Sequence, residues 1–437
     1  MIRDGFADRL PGGPTLLRLA GRLLDPSFVS EPREEAEIDV SRGELFLTGR
    51  GLDYLTRGSD GREYHNPLDR DALPGLAVRL EGGGEVSGDR LWSGIPGTAR
   101  AALGAKPLAL RFRRRYVHYR DLVLGKLEKP LDSLRDLVIL RSDRTPVFHL
   151  ANVVDDAGQG VTHILRGNDH VDNTFRHLFI FKAIGKPPPL YGHFPMIVNA
   201  GGKPYSKRDG DAYVGDFRSK GYLPECLFNF LALCGWGRED GVELMRREEM
   251  AAHFDLSRVS ASAARLNPEK LAWMNGQYLA RADPEDLLPR IREELAAAGA
   301  DVSGVASDWL ARLFRLERER LKTLGDFAAN TRFFFVDRVE LDPRAVEKAL
   351  RKDDGLGFRV LGELLGAFRE VPRWLASDLE KAASDLGAKR GLRTGDLVQP
   401  IRVAVTGGLV SRGIWETLEL LGREKTLARL ERALAAR

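Results

Sequence analysis

The stretch Val161–Val198, VTHILRGNDHVDNTFRHLFIFKAIGKPPPLYGHFPMIV, decides the fold. Val161–Leu165 is a short apolar run with the length of a buried strand. Asp169–Ile184 carries apolar residues at helical spacing. Leu190–Val198 reads as a second strand, and Pro187–Pro189 separates it from the helix because proline cannot continue one. Strand, helix, strand in this order is the signature of a βα unit with a parallel sheet. Upstream, Leu137–Leu140 (LVIL) and Val147–Val154 read as further buried strands. Downstream come a glycine-rich loop, Gly201–Gly210, and a helix at Pro224–Cys234 with Pro224 in its first turn.

The remaining chain falls on either side of this core. After about Arg281 the pattern becomes helical. Pro284–Ala298, Ser307–Asn330, Pro343–Arg351, Gly357–Glu370, Trp374–Leu386, Ile414–Leu421 and Glu424–Ala436 each repeat apolar residues at i, i+3, i+4 spacing. The first hundred or so residues are punctuated by PGGP at Pro11–Pro14, GGG at Gly82–Gly84 and GIPG at Gly94–Gly97. Short β-like runs such as Leu45–Thr48 and Leu76–Leu80 lie between them, so irregular β-rich structure or poor order is expected there.

Composition bounds the function classes. The chain has 437 residues, 43% hydrophobic and 30% charged, which is ordinary for a globular protein. No apolar run approaches the ~18–20 residues that cross a bilayer. The N-terminal MIRDGFADRL has no continuous apolar segment of the secretory kind, so a cytoplasmic protein is expected. Two cysteines exclude a disulfide scaffold and a four-cysteine zinc site. Cys226 and Cys234 are eight residues apart in an expected helix, about 12 Å, too far for a disulfide. The net charge of +4 permits a nucleic-acid partner where basic residues cluster, but equally fits a solvated mixed-charge surface.

The chemistry is concentrated in Gly201–Gly210, GGKPYSKRDG. Lys203, Lys207 and Arg208 sit beside the Ser206 hydroxyl between glycines that permit close approach and movement. Such a loop suits the charge that builds on a leaving pyrophosphate. The same composition also describes a basic hairpin tip without a ligand.

The segments around this loop resemble the catalytic core of glutamyl-tRNA synthetases, a family of class I aminoacyl-tRNA synthetases. Val138–Asp156, VILRSDRTPVFHLANVVDD, is similar to a family segment ending in paired aspartates. Val161–His177 is similar to the family's THVIRGEDHxxNTxRQ, and Ser206–Gly210 (SKRDG) to its KLSKR loop. Gly221–Gly237, GYLPECLFNFLALCGWG, Leu266–Leu279, LNPEKLAWMNGQYL, and Gly395–Leu430 continue the likeness in the same order. The resemblance runs from about Arg111 to Arg437.

The resemblance implies an α/β protein: a class I, Rossmann-like parallel-sheet catalytic domain with an atypical N-terminal half, then an all-α anticodon-binding domain. The implied divisions are 1–110 for the atypical N-terminal region, 111–205 for the second half of the catalytic domain, 206–280 for the signature loop and a helical stem-contact region, and 281–437 for the anticodon-binding domain. It implies glutamate activation with ATP and Mg²⁺, followed by transfer to tRNA, expected to be the glutamate tRNA, by a monomer without membrane association. Lys207, Ser206 and Arg208 would be catalytic, and with Lys203 would bind ATP. Arg166, Phe148 and Asn152 would bind the amino acid, an Arg–carboxylate pair being well suited to glutamate. Lys389, Arg390, Arg393 and Arg402 would contact tRNA. No resident metal is implied, and His163 and His170 read as hydrogen-bonded structural histidines. Competing readings are an Arg166–Asp169 ion pair, a plain turn at Asp155–Asp156, packing for Asn173 and Thr174, and a solvated face for the C-terminal cations.

The sequence departs from the family pattern in identifiable places. The HIGH signature is absent, and the first histidine of the chain is His65. Gly5–Gly21 is only a faint echo of RFAPSPTGxLHxGGAR, with Gly5 where the family has arginine. Pro204 and Tyr205 replace the lysine and leucine of KLSKR, Asp209 the following histidine, Phe148 a tyrosine, and Asn168 the glutamate of RGEDH. Three readings remain on sequence grounds: a glutamate–tRNA ligase, a relative that binds tRNA without charging it, and a transferase acting on charged tRNA or another acid.

Overall fold

The computed structural model describes residues 7–9, 15–17, 27–47, 51–57, 61, 63–69, 73–92, 103–134, 137–199, 201–208, 210 and 212–436. Gly5, most of Gly5–Gly21, the PGGP and GIPG turns and Asp209 lie outside them. The chain divides into two compact units: 1–197 with 235–237 and 254–264, and 198–234 with 238–253 and 265–437.

In the first unit the βα reading holds. The strands Gly125–Pro130, Tyr116–Asp121, Leu190–Phe194 and His163–Gly167 form one sheet in that order. His163–Gly167 runs parallel to Leu190–Phe194, which in turn pairs parallel with Tyr116–Asp121 at Asp121↔Tyr191. Gly125–Pro130 closes the sheet as an antiparallel hairpin strand, so the sheet is mixed. The crossover is the helix Val171–Ile184, which buries Phe175, Leu178, Phe179, Ile180 and Phe181. Gly185 ends it at φ 69°, a left-handed conformation that glycine adopts without steric cost.

One expected strand is a helix instead. Val147–Val154 lies almost wholly in the helix Phe148–Gln159, and Asp155 and Asp156, readable as a turn, are in its third turn. The β-branched pair Val153–Val154 suggested a strand. Leu150, Val153, Val154 and Ala157 instead recur at helical spacing and pack on the core with Ile139 and Phe175.

The N-terminal part of this unit is β-rich, as expected. Strands Glu34–Asp39, Pro107–Arg114, Ala77–Leu80 and Glu85–Ser87 pair antiparallel in that order. Leu110 and Phe112 of the long central strand face a core with Val40, Leu45, Leu52 and Val78. The outward Arg111 reaches Glu35 at 3.1 Å and Glu85 at 3.5 Å across the strands. Such cross-strand charge pairs each contribute roughly 0.2–1 kcal/mol.

The second unit is mainly helical. The helices Pro284–Ala297, Ser307–Glu317, Leu324–Thr331, Lys352–Arg369, Ala376–Arg390, Thr394–Thr406, Ile414–Leu421 and Arg423–Ala435 share one apolar core with Pro224–Leu233 and Pro268–Arg281. Ser307–Asn330 is not one helix but two, because Thr323 and Asp326 form a reciprocal cap that starts a new one. Gly221, at φ 80°, lets the chain pass Gly325: a Cβ there would lie 2.6 Å from the Gly325 nitrogen. Cys226 is buried and Cys234 half-buried, and both are free thiols. Among the described residues, no helix is long and apolar enough to cross a membrane.

Candidate functional site

Arg166 stands at the end of the parallel strand His163–Gly167, where side chains emerge beside the crossover helix. Its Nε donates to His193 Nε2 at 3.3 Å, and its Nη2 donates to the Thr174 hydroxyl at 2.6 Å and to the His170 carbonyl at 3.3 Å. The Tyr191 ring lies 5.3 Å from the guanidinium carbon, within cation–π range. The hydrogen-bonded partners do not include Asp169, so the competing reading of a strand-end ion pair is not the arrangement found.

Behind Arg166 lies a fully buried pair. His193 Nδ1 and Asp121 Oδ2 are 2.6 Å apart, with both side chains inaccessible to solvent. Burial alone would raise the Asp121 pKa, but the His193 hydrogen bond and backbone N–H groups of Leu124, Val123 and His193 hold it below the ordinary carboxylate value.

The helix Phe148–Gln159 brings a second set of side chains near Arg166. Phe148, Asn152 and Asp156 are spaced i, i+4, i+8 and share a face. The Phe148 ring is 54% exposed, with its centroid 5.4 Å from His149, 6.1 Å from His170 and 6.2 Å from His177. Burial pushes the Asp156 carboxyl up, Arg166 partly opposing. Asn152 Oδ1, Asp156 Oδ2 and the Tyr191 hydroxyl are buried without a hydrogen-bond partner. Buried polar atoms are nearly always paired, and two of these orphans, on Asp156 and Tyr191, lie near the Arg166 guanidinium, an arrangement suited to a small zwitterion. The arginine suits a carboxylate, and the aspartate and amide oxygens suit an ammonium group. His149 Nδ1 and His177 Nε2 are 3.1 Å apart beneath Phe148. Burial, with nearby Arg166, pushes His177 down to about 3.

In the second unit, the Lys203–Arg208 loop is built differently. Asn199 N–H donates to the Lys203 carbonyl at 2.8 Å, and the Asn199 side chain accepts from Gly201 N–H and Lys203 N–H at 3.0 and 3.1 Å. These bonds fold the turn, while Lys203, Ser206, Lys207 and Arg208 all remain exposed.

The same unit carries an arginine-lined hollow of about 630 Å³. Arg320, Arg332, Arg338 and Arg412 line it with Phe333 and Asn330. Arg402 borders it, its Nε donating at 2.9 Å to Ser411, which is one of the lining residues. Lys389, Arg390 and Arg393 lie instead at the other end of the helix Thr394–Thr406, and Arg390 pairs with Glu363 at 2.9 Å. Sequence reasoning missed the four lining arginines, because helix packing and not proximity in the chain brings them to one hollow. It also missed Asp121, His193 and Tyr191, which carry no local signal, whereas Asp156 is legible as one of the paired aspartates of the family-like segment. Among the described residues, no group of three or more His, Cys, Asp or Glu side chains is placed to hold a metal ion.

Residues 103–273 match the model of the class I tRNA synthetase (E and Q) catalytic domain, and residues 285–434 match that of an anticodon binding domain. A glutamate–tRNA ligase of Thermodesulfovibrio yellowstonii is 38% identical over 336 residues, covering 76% of this chain and 71% of that relative. One from an Anaeromyxobacter species is 37% identical over 413 residues, covering 92% of this chain and 84% of the relative. A crystal structure of a glutamate–tRNA ligase from Elizabethkingia meningosepticum, in complex with its amino acid, superposes with a TM-score of 0.65 at 27% identity, covering 77% of this chain and 70% of that one.

Proposed function

The chain belongs to the glutamate–tRNA ligase family of class I tRNA synthetases, and from that membership we propose that it joins glutamate to tRNA through a glutamyl-adenylate. A glutamate carboxylate oxygen attacks the α-phosphorus of ATP and pyrophosphate leaves. A ribose hydroxyl at the tRNA 3′ end then attacks the activated carbonyl, and AMP leaves. Mg²⁺ enters as the counter-ion of the triphosphate.

Arg166 pairs with the substrate carboxylate, and Asn152 and Phe148 line the amino-acid site. Lys203, Ser206, Lys207 and Arg208 take the phosphates, Lys207 stabilising the charge that develops on pyrophosphate. Arg402, with Lys389, Arg390 and Arg393, contacts tRNA, which is expected to be the glutamate tRNA. The protein acts as a cytoplasmic monomer. The observation that carries the amino-acid site is the state of Arg166: Nε and Nη2 are anchored, while Nη1 has no hydrogen-bond partner among the described residues. The orphaned Asp156 oxygen lies near Arg166, and Asn152, also orphaned, is one helical turn away on the same face.

The test is ATP-dependent incorporation of labelled glutamate into tRNA. Charging above that of a Lys207→Ala control is expected, and none would remove the ligase reading. The missing HIGH signature favours a second reading, tRNA binding without charging. That reading expects no charging but salt-dependent tRNA affinity well above that for random RNA.

A further inference from the structure

We infer that Asp121 and His193 are positioning residues: a buried carboxylate–imidazole pair that holds the Arg166 guanidinium in one orientation for the substrate carboxylate. The inference rests on Arg166 being the carboxylate anchor proposed above.

The turn after Tyr116–Asp121 needs only half of the Asp121 carboxylate. Asp121 Oδ1 accepts from Val123 N–H and Leu124 N–H, both at 2.9 Å, and from His193 N–H at 3.2 Å. Asparagine would satisfy those donors equally well. The second oxygen is therefore surplus to the turn, and it meets His193 Nδ1 at 2.6 Å. An ionised carboxylate with no solvent access is costly to bury unless its partners require the charge.

What the charge does is fix a tautomer. With Asp121 Oδ2 accepting, the proton sits on His193 Nδ1, and Nε2 becomes an acceptor. Nε2 faces Arg166 Nε at 3.3 Å and the Thr174 hydroxyl at 3.1 Å. Thr174 accepts in turn from Arg166 Nη2, which closes a ring through Arg166, Thr174 and His193. In the other tautomer, His193 Nε2–H would point at Arg166 Nε–H, donor against donor. Asp121 thus keeps Nε and Nη2 engaged on the protein side and leaves Nη1 for the ligand.

The test is L-glutamate affinity by calorimetry on the full chain near neutral pH. Asp121→Asn keeps the turn acceptor but presents N–H groups to His193, favouring the wrong tautomer. Glutamate Kd should rise about 10- to 100-fold, the range of one charge-assisted hydrogen bond. Affinity for tRNA should stay within about twofold. Arg166→Ala should raise Kd at least as much, and adding Asp121→Asn to it should change little more, because both act through one group. Should Asp121→Asn fail to fold, His193→Gln and His193→Phe replace it. Glutamine retains an acceptor for Arg166 and should bind glutamate several-fold more tightly than the phenylalanine variant.

Unchanged Kd in Asp121→Asn with weakened Arg166→Ala would overturn the positioning role and leave the anchor standing. Equal loss in the glutamine and phenylalanine variants, or additive losses in the Asp121/Arg166 double variant, would also overturn it. Unchanged Kd in Arg166→Ala would remove the anchor itself.

Discussion

Two cationic regions of this protein face opposite physical problems. Arg166 is held by a hydroxyl, a carbonyl and an imidazole whose own orientation is fixed from behind. Lys203, Lys207 and Arg208 project from a turn held chiefly by backbone and Asn199 bonds, and all three are exposed. The difference teaches how each can work. A group that must recognise a small carboxylate gains from a geometry settled before binding. Groups that follow a departing pyrophosphate must reach it as charge develops, and a loop carrying glycines permits that movement.

Substitutions at the two kinds of site should separate function from stability. The largest effect is expected at Lys207. In Lys207→Ala, glutamate-dependent ATP–pyrophosphate exchange should fall about 100- to 1000-fold, as for loss of one transition-state donor. The melting temperature should not move, since the side chain is exposed.

Arg429 should behave in the reverse way. It is 2% exposed and its guanidinium donates to the carbonyls of Val405 and Phe333, both at 2.6 Å, and of Val336 at 2.5 Å. Arg429→Met leaves those carbonyls unpaired and should destabilise the helical unit by about 3 kcal/mol in urea unfolding, without changing glutamate affinity.

A smaller effect concerns pH. His177 stays neutral in the folded chain down to about 3, chiefly through burial, and His149 is pushed down for the same reason. The unfolded chain binds these protons below about pH 6.5, so stability falls as pH drops from there, approaching about 1.4 kcal/mol per pH unit for His177, with His149 adding in the same direction. Asp121 adds to the loss only below about pH 4, where its unfolded form takes a proton first. Urea midpoints measured from about pH 6.5 to about pH 4.5 should show this slope, and His177→Gln should flatten it. The smallest expected effect is in Phe148→Tyr. A hydroxyl at this half-exposed ring should tighten glutamate binding by a few-fold at most.

The legibility of the sequence follows the same division. The Lys203–Arg208 loop announced itself because its glycines, hydroxyl and cations are contiguous. The βα crossover was readable because Val171–Ile184 keeps one helical period and ends at glycine and proline. The helix Phe148–Gln159 was misread because two adjacent valines carry a strand preference that tertiary packing overrides. The support of Arg166 was hidden for a different reason. Asp121 and His193 are 72 residues apart and meet only because parallel pairing sets Asp121 beside Tyr191. The hollow beside Arg402 is likewise assembled from arginines spread over Arg320–Arg412. Contiguous chemistry was visible, and chemistry assembled by sheet register or helix packing was not.

The most direct test is glutamate-dependent ATP–pyrophosphate exchange in the presence of tRNA, with kcat and the glutamate KM compared for the unaltered chain, Lys207→Ala and Arg166→Ala. Lys207→Ala should lower kcat with KM little changed, and Arg166→Ala should chiefly raise KM. Exchange by the unaltered chain no faster than by Lys207→Ala, or identical losses in the two variants, would contradict the account.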